Sequence, residues 1–103
     1  MTVRAKFKCV RIESSEQSLA KKDATGAYVK DDAGRHVYET AEMRTLCFAP
    51  VYGNGDPNHE NTKFWNASPS GEVKLGTVNP EAWKKFKLGE EYYLDFTPAP
   101  AVT

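Results

Sequence analysis

The N-terminal segment alternates apolar and basic side chains with a period of two. Between Val3 and Cys9 every second residue is apolar. The intervening residues are all basic: Arg4, Lys6 and Lys8. Successive side chains of a strand point to opposite faces, so this pattern predicts a β-strand with one buried face. The apolar positions change parity at Val10 and Ile12, which predicts a β-bulge or a barrel corner.

Further strand patterns follow along the chain. Residues 27–40 are predicted to form a hairpin around residues 31–34, because acidic residues followed by glycine suit a four-residue connection. The other predicted strands are residues 43–51, 63–67, 72–78 and 91–97. On the last of these, Leu94 and Phe96 share a face and are expected in the core. The polar residues 14–26 and 52–62 are expected to be loops.

One helix is predicted, between the last two strands. Asn79 is a good N-cap, Pro80 suits the first helical position and Glu81 suits the positive end of a helix. Trp83 and Phe86 have helical spacing and are expected to face inward, and Gly89 is expected to end the helix.

These elements predict a single mainly β domain over residues 1–103. One short helix cannot cover both faces of a flat sheet. The expected architecture is therefore a small curled sheet, a barrel or a two-layer sandwich, with the short helix before the last strand at one open end. Residues 14–40 are expected to be a loop-and-hairpin extension, and residues 98–103 a tail.

Charge and hydropathy limit the partners and the location. The 14 basic and 14 acidic residues balance, which argues against a salt-driven nucleic-acid binder. No apolar run is long enough for a membrane span, and charges interrupt the N-terminal segment, so no signal peptide is predicted. These features predict a cytoplasmic protein with reduced cysteines, Cys9 and Cys47.

No pattern of catalytic, cofactor-binding or metal-binding residues is found. The histidines, His36 and His59, share no motif, and the cysteines and histidines lack zinc spacing. Oxygen side chains alternate from Asn54 to Glu60, as in the first half of a calcium loop. The glycine and the distal glutamate of such a loop are missing, so a solvated turn is the favoured interpretation. The sequence therefore predicts a non-enzymatic protein without a cofactor.

The strongest local constellation surrounds Phe64 and Trp65. On the predicted strand these neighbours face opposite sides, so one of them is expected to be exposed. Trp65 is the candidate stacking surface for a base-containing anionic ligand. The other candidate ligand-binding residues are the cations Lys63 and Arg44 and the hydroxyl donors Ser68 and Ser70. A small domain has little room for a deep pocket, so a site shared between subunits of a homo-oligomer is expected.

The segments VRAKFKCVRI, FWNASPSGEVKL and NPEAWKKFKLGEEYYLDFTPA resemble a group of small bacteriophage and prophage proteins. The resemblance implies a phage origin and expression inside a bacterial host cell. It supplies no catalytic residues, and residues 14–40 depart from the pattern of the group.

The leading hypothesis is a phage-type binding protein that inhibits or sequesters a host factor. Its partner would be a host protein or a nucleotide-like small molecule, such as a defence signal. One alternative is a single-stranded nucleic-acid binder on an OB-like barrel, which would use Arg4, Lys6 and Lys8. Another is a small virion or assembly protein that associates through its edge strands.

Overall fold

The computed structural model describes residues 3–101 and is mainly β, as predicted. Its four strands form one antiparallel sheet in the order β3-β2-β1-β4. The strands are β1 (Val3–Ala20), β2 (Tyr38–Pro50), β3 (Val73–Thr77) and β4 (Glu91–Phe96). Two short helices, α1 (Glu60–Trp65) and α2 (Pro80–Trp83), lie between the later strands.

The core lies on one face of the sheet, and the N-terminal alternation places it there. Ala5, Phe7 and Cys9 of β1 are all buried, whereas Arg4 and Lys8 are exposed. The core cluster is completed by Leu46 and Phe48 of β2 and by Trp83 of α2. Burying a large apolar side chain contributes roughly 1.5–3 kcal/mol. The short helix therefore matters mainly because it carries Trp83 onto the sheet.

A β-bulge lies where the sequence predicted one. Cys9 pairs with Phe48, but the next pair along the ladder joins Arg11 to Cys47. Val10 is therefore the extra residue on β1. The insertion returns Ile12 to the core face, where it packs against the buried cluster.

The segment predicted as a strand at residues 63–67 is helical instead. In α1, the His59 side chain accepts the Asn61 amide at the N-terminus, and Asn66 ends the helix in the left-handed conformation. Gly53 packs so closely on α1 that a Cβ there would collide with the Thr62 hydroxyl. The alternation argument for Phe64 and Trp65 therefore does not hold, because neighbours on a helix are not placed on opposite faces.

The sheet is neither a closed barrel nor a two-layer sandwich. Within residues 3–101, β3 and β4 each pair with one strand only. One face is only partly covered, by Trp83 of α2, by Phe86 of the turn that follows it and by Trp65 of α1. Phe96 is 54% exposed, so the expectation that it fills the core is wrong, whereas Leu94 does pack against the core. The helix before the last strand begins at Pro80 as predicted, but it ends at Trp83, well before Gly89.

Residues 14–26 were predicted to form a loop, but residues 14–20 instead extend the first strand to Ala20. Beyond the ends of β3 and β4, β1 and β2 continue as a two-stranded antiparallel ribbon up to the pair Ala20–Tyr38. We call residues 13–42 the arm, and divide it into a stem (13–20 and 38–42) and a knob (21–37). Its charged and hydroxyl-bearing stem residues are exposed on both faces. The molecule consequently measures 64 × 37 × 19 Å.

Candidate functional site

The knob is built from a tandem repeat of eight residues. Residues 22–29 read KDATGAYV and residues 30–37 read KDDAGRHV. The two copies are identical at their first, second, fifth and eighth positions. Tyr28 and His36 occupy equivalent seventh positions.

Each repeat folds into the same aspartate-held turn. In the first, Asp23 Oδ1 accepts hydrogen bonds from the amides of Thr25 and Ala27 at 2.9 and 3.1 Å. In the second, Asp31 Oδ1 accepts from the amides of Ala33 and Arg35 at 2.9 and 3.0 Å. An aspartate that bonds its own following backbone fixes a tight turn without help from a core. The glycine at each fifth position has a positive φ that other residues rarely adopt.

The two turns and the stem meet in a closed ring of three backbone hydrogen bonds. The Lys21 amide donates to the Val37 carbonyl at 2.7 Å, and the Val37 amide donates to the Val29 carbonyl at 3.1 Å. The Val29 amide closes the ring on the Lys21 carbonyl at 2.9 Å. The knob is thus a three-way junction of short antiparallel segments. Its order comes from backbone bonding, because only Val29 and Val37 among its residues are partly buried.

The knob displays aromatic and cationic side chains next to each other. Tyr28, 53% exposed, meets His36 edge to face with ring centroids 5.2 Å apart. Lys22 Nζ lies 5.1 Å from the centre of the Tyr28 ring. A shallow cleft of about 360 Å³ lies beside Tyr28, between the knob and the stem. Its lining residues are Leu19, Ala20, Lys22, Tyr28 and Glu39.

The charge state of the first turn is held by its own hydrogen bonds. The Thr25 hydroxyl donates to Asp23 at 2.6 Å, and the backbone amides of Thr25 and Ala27 donate to the same carboxylate. These donors favour the ionised form and lower the pKa of Asp23 from its ordinary value of 3.8. The Asp23 carboxylate, which holds the first turn of the knob, is therefore ionised at neutral pH.

The indole of Trp65, the predicted stacking surface, packs against the core. Its ring lies 6.0 Å from that of Phe7 and 4.5 Å from that of Phe64, and it is only partly exposed. Trp65 Nε1 donates to the backbone carbonyl of Ser70 at 3.1 Å. Of the adjacent pair, Phe64 is the more exposed residue.

The remaining predicted site residues fall into two places. Lys63 is exposed in the last turn of α1, and Ser68 lines a cleft of about 210 Å³ beside that helix. Arg44 lies elsewhere, with its guanidinium 4.9 Å from the centre of the Trp83 ring. Trp65 contacts Phe7, which pairs with Pro50. Arg44 is six residues along β2 from Pro50, roughly 20 Å at about 3.3 Å per residue. Lys63 and Ser68 thus lie on or beside α1 and the Ser70 carbonyl contacts Trp65, whereas Arg44 lies beside Trp83.

The oxygen-rich segment at residues 54–60, which ends at the first residue of α1, has local roles. Asp56 Oδ1 accepts the amide of Asn58 at 2.9 Å, and Glu60 accepts the Tyr93 hydroxyl at 3.0 Å. Within the described part of the chain, no group of three or more His, Cys, Asp or Glu side chains is placed to hold a metal ion.

The second turn of the knob lies at the predicted connection, residues 31–34, and is flanked by the bridge between Lys30 and His36. The repeat itself escaped prediction from sequence, although a signal was present. A self-comparison of the sequence at a spacing of eight residues would have found the repeat. No protein family model, curated protein or solved structure matches this chain. No helix among residues 3–101 is long and apolar enough to cross a membrane.

Proposed function

We propose that this chain is a non-enzymatic binding protein of phage type that inhibits or sequesters a host protein, and that the knob is its contact surface. The observation that carries the proposal is the three-bond ring at residues 21, 29 and 37, which orders a solvent-exposed structure at the end of the arm. The two repeats hold their turns by their own backbone and aspartate bonds. Such pre-ordering reduces the entropic cost of binding.

The chemistry of the knob also favours a protein partner. Tyrosine is enriched among the residues that dominate protein interfaces, because it combines apolar area with one hydroxyl group. Tyr28 is flanked by the cation Lys22 and lines a cleft that also contains Glu39. A partner loop could therefore pack an apolar side chain against Tyr28 and pair one charge of each sign with Lys22 and Glu39.

The test compares wild-type protein with Tyr28→Ala as bait in bacterial cytosol, with captured proteins quantified by mass spectrometry. We expect one or a few host proteins to be captured by the wild type and to be depleted at least tenfold with Tyr28→Ala. The thermal midpoint should stay within a few degrees, because Tyr28 contributes nothing to the core. Equal capture by both baits would disprove the assignment of the knob.

A second candidate function is binding of a nucleotide-like small molecule, favoured by the cleft beside α1. The exposed ring of Tyr52 lines this cleft together with Gly53, Gly55, Thr62 and Ser68. An aromatic face beside small residues and hydroxyl groups suits a base and its sugar. Native mass spectrometry with a panel of nucleotides tests this candidate. Tyr52→Ala should abolish any adduct and Tyr28→Ala should not, so each variant is the control for the other candidate.

Homo-oligomerisation is part of the same proposal. The described residues form a shallow sheet, and its clefts are open to solvent rather than enclosed. A partner copy would add surface that one chain lacks.

A further inference from the structure

Strand β4 forms one free edge of the sheet, because within the described chain it pairs only with β1. Lys6 of β1 gives both its backbone groups to Asn61, on the β2 side of the strand. Backbone groups of successive strand residues point to opposite sides, so Phe7 bonds its partner Tyr92 on the β4 side. The β4 residues that alternate with Tyr92 therefore direct their amides and carbonyls away from the sheet. These residues are Glu91, Tyr93 and Asp95.

The β4 edge has few of the features that keep edge strands from pairing, which include prolines, lysines and bulges. Its sequence, EYYLDF, contains no proline or lysine, and its pairing with β1 is regular. Of its two acidic side chains, Asp95 is held by the Arg4 guanidinium through hydrogen bonds of 2.7 and 3.0 Å. The other free edge, β3, carries Lys74 and also Gly76, which weakens a strand. Of the two edges, β4 is therefore the better suited to pairing with another strand.

Phe96 is a large apolar side chain that a single chain leaves uncovered. It is 54% exposed, although it lies on the same face of β4 as Leu94, which packs against the core. Together with Val3 and Pro98 it lines a shallow, largely apolar cleft of about 450 Å³. Tyr92, on the same face, is also partly exposed. The β4 edge therefore offers apolar side chains as well as backbone groups.

Two copies of β4 fit each other antiparallel in one register. Opposite residues of a ladder share a face, so a two-fold axis must pass through a residue rather than between two. Only an axis at Tyr93 or at Leu94 pairs most of the strand. The axis at Tyr93 sets Glu91 opposite Asp95 of the other copy, and like charges directly opposite destabilise a sheet. The axis at Leu94 sets no two like charges opposite each other.

With the axis at Leu94, the strand is complementary to itself. Tyr93 lies opposite Asp95 of the other copy, and both residues carry outward backbone groups. Each of the two symmetric pairs therefore exchanges backbone hydrogen bonds. On the core face, Phe96 lies opposite Tyr92 of the other copy, and aromatic pairs across two strands stabilise a sheet. Unpaired backbone groups and an uncovered aromatic ring thus find partners in the same register.

From this self-complementarity we propose that two copies pair antiparallel through β4, with the two-fold axis at Leu94. The contact is isologous and joins the two four-stranded sheets into one continuous sheet. This inference rests on the homo-oligomer of the proposed function and assigns its interface. The axis reverses the strand direction, so the two arms point in opposite directions and both knobs stay free to bind.

Disulfide crosslinking of a Leu94→Cys variant tests the register. The backbone of Leu94 faces β1, so the pair across the axis is not hydrogen-bonded and its Cα atoms lie roughly 4.5 Å apart. This separation is within the range of a disulfide, and we expect a covalent dimer with diamide as the oxidant. The matched control is Leu75→Cys on the β3 edge, which should stay monomeric. The wild type should also stay monomeric under diamide, because Cys9 and Cys47 are buried. Crosslinking of Leu75→Cys that equals or exceeds that of Leu94→Cys would overturn the interface.

Sedimentation velocity measures the contribution of Phe96 to the dimer. Phe96→Ser removes the aromatic ring opposite Tyr92 but no member of the core. We expect it to raise the dissociation constant of the dimer at least about tenfold. Phe64→Ser is the control, because Phe64 is a similarly exposed ring on α1, and it should dimerise like the wild type. Circular dichroism in dilute solution should show every variant folded.

A wild type that stays monomeric at its highest soluble concentration would overturn the interface. An unchanged dissociation constant for Phe96→Ser would overturn it as well. Either result would leave capture of a host protein by the knob untouched, because that test depends on Tyr28. Conversely, a bait that captures nothing would leave the dimer untouched, so the two proposals fail separately.

Discussion

Asn61 binds both backbone groups of Lys6. Its Oδ1 accepts the Lys6 amide at 2.6 Å, and its Nδ2 donates to the Lys6 carbonyl at 2.7 Å. Nδ2 also donates to the Val51 carbonyl at 2.5 Å. The fully buried amide of Asn61 thus continues the pairing of β1 just beyond the end of β2 and anchors α1 to the sheet.

Replacing Asn61 should therefore be among the most damaging single changes. Asn61→Ala would leave the Lys6 amide without its partner inside the protein, and each unsatisfied buried group costs about 1–3 kcal/mol. We expect the free energy of unfolding in urea to fall by about 3 kcal/mol. Asn58→Ala is the control, because the exposed Asn58 side chain makes no hydrogen bond in the described structure. A loss below about 1 kcal/mol for Asn61→Ala would show that water replaces the amide.

The aromatic residues of the sheet should differ sharply in their contributions. Phe48 is 3% exposed and contacts Phe86 and Tyr92 at centroid distances of 5.7 and 5.9 Å. Phe48→Ala is expected to cost about 3–5 kcal/mol, as for other buried aromatics. Phe96→Ala, at an exposed site, is expected to cost less than about 1 kcal/mol. Urea denaturation measures both losses in the free energy of unfolding. A larger loss for Phe96→Ala than for Phe48→Ala would contradict the fold.

The order of the knob should depend on its two turn aspartates. Combining Asp23→Ala with Asp31→Ala removes the acceptors that hold both repeats. We expect hydrogen exchange at the ring amides of Lys21, Val29 and Val37 to accelerate at least tenfold. The thermal midpoint should not change, because no knob residue belongs to the core. Asp32→Ala is the control, since its side chain makes no hydrogen bond or ion pair among the described residues.

The first turn should also weaken in acid. The pKa of Asp23 is lower in the folded protein than in the unfolded chain, chiefly because the Thr25 hydroxyl bonds the carboxylate. Its contribution is therefore present above the unfolded value and is lost as the pH falls through the folded value. Carbon-13 NMR should place the midpoint of Asp23 below 3.8, and Thr25→Val should raise it toward 3.8. A wild-type midpoint at or above 3.8 would contradict the hydrogen-bonded turn.

The sequence was informative where one face of an element is buried. The alternation of β1 predicted Ala5, Phe7 and Cys9 in the core, and the parity change predicted the bulge at Val10. The distal half of the same strand, Ser14 to Ala20, was missed because neither face of the stem is buried within one chain. Without a buried face, a strand has no period-two signal.

Local context overrode propensity in the aromatic segment. Phe64 and Trp65 favour strands by residue type, yet α1 forms because His59 caps its start and Asn61 ties it to β1. A single sequence does not reveal a tie that joins residues 55 positions apart. Lys63 and Trp65 were grouped as ligand residues on that mistaken strand, and the structure places Arg44 beside Trp83 instead.

Site-specific photo-crosslinking tests the role of the knob most directly. The crosslinker p-benzoylphenylalanine is placed either at position 28 in the knob or at position 64 in α1. One exposed aromatic residue is thus replaced in each case. After irradiation in bacterial cells, we expect a covalent adduct with a host protein from position 28 and none from position 64. An adduct from position 64 alone would place the partner on α1 and rule out the knob as the contact surface.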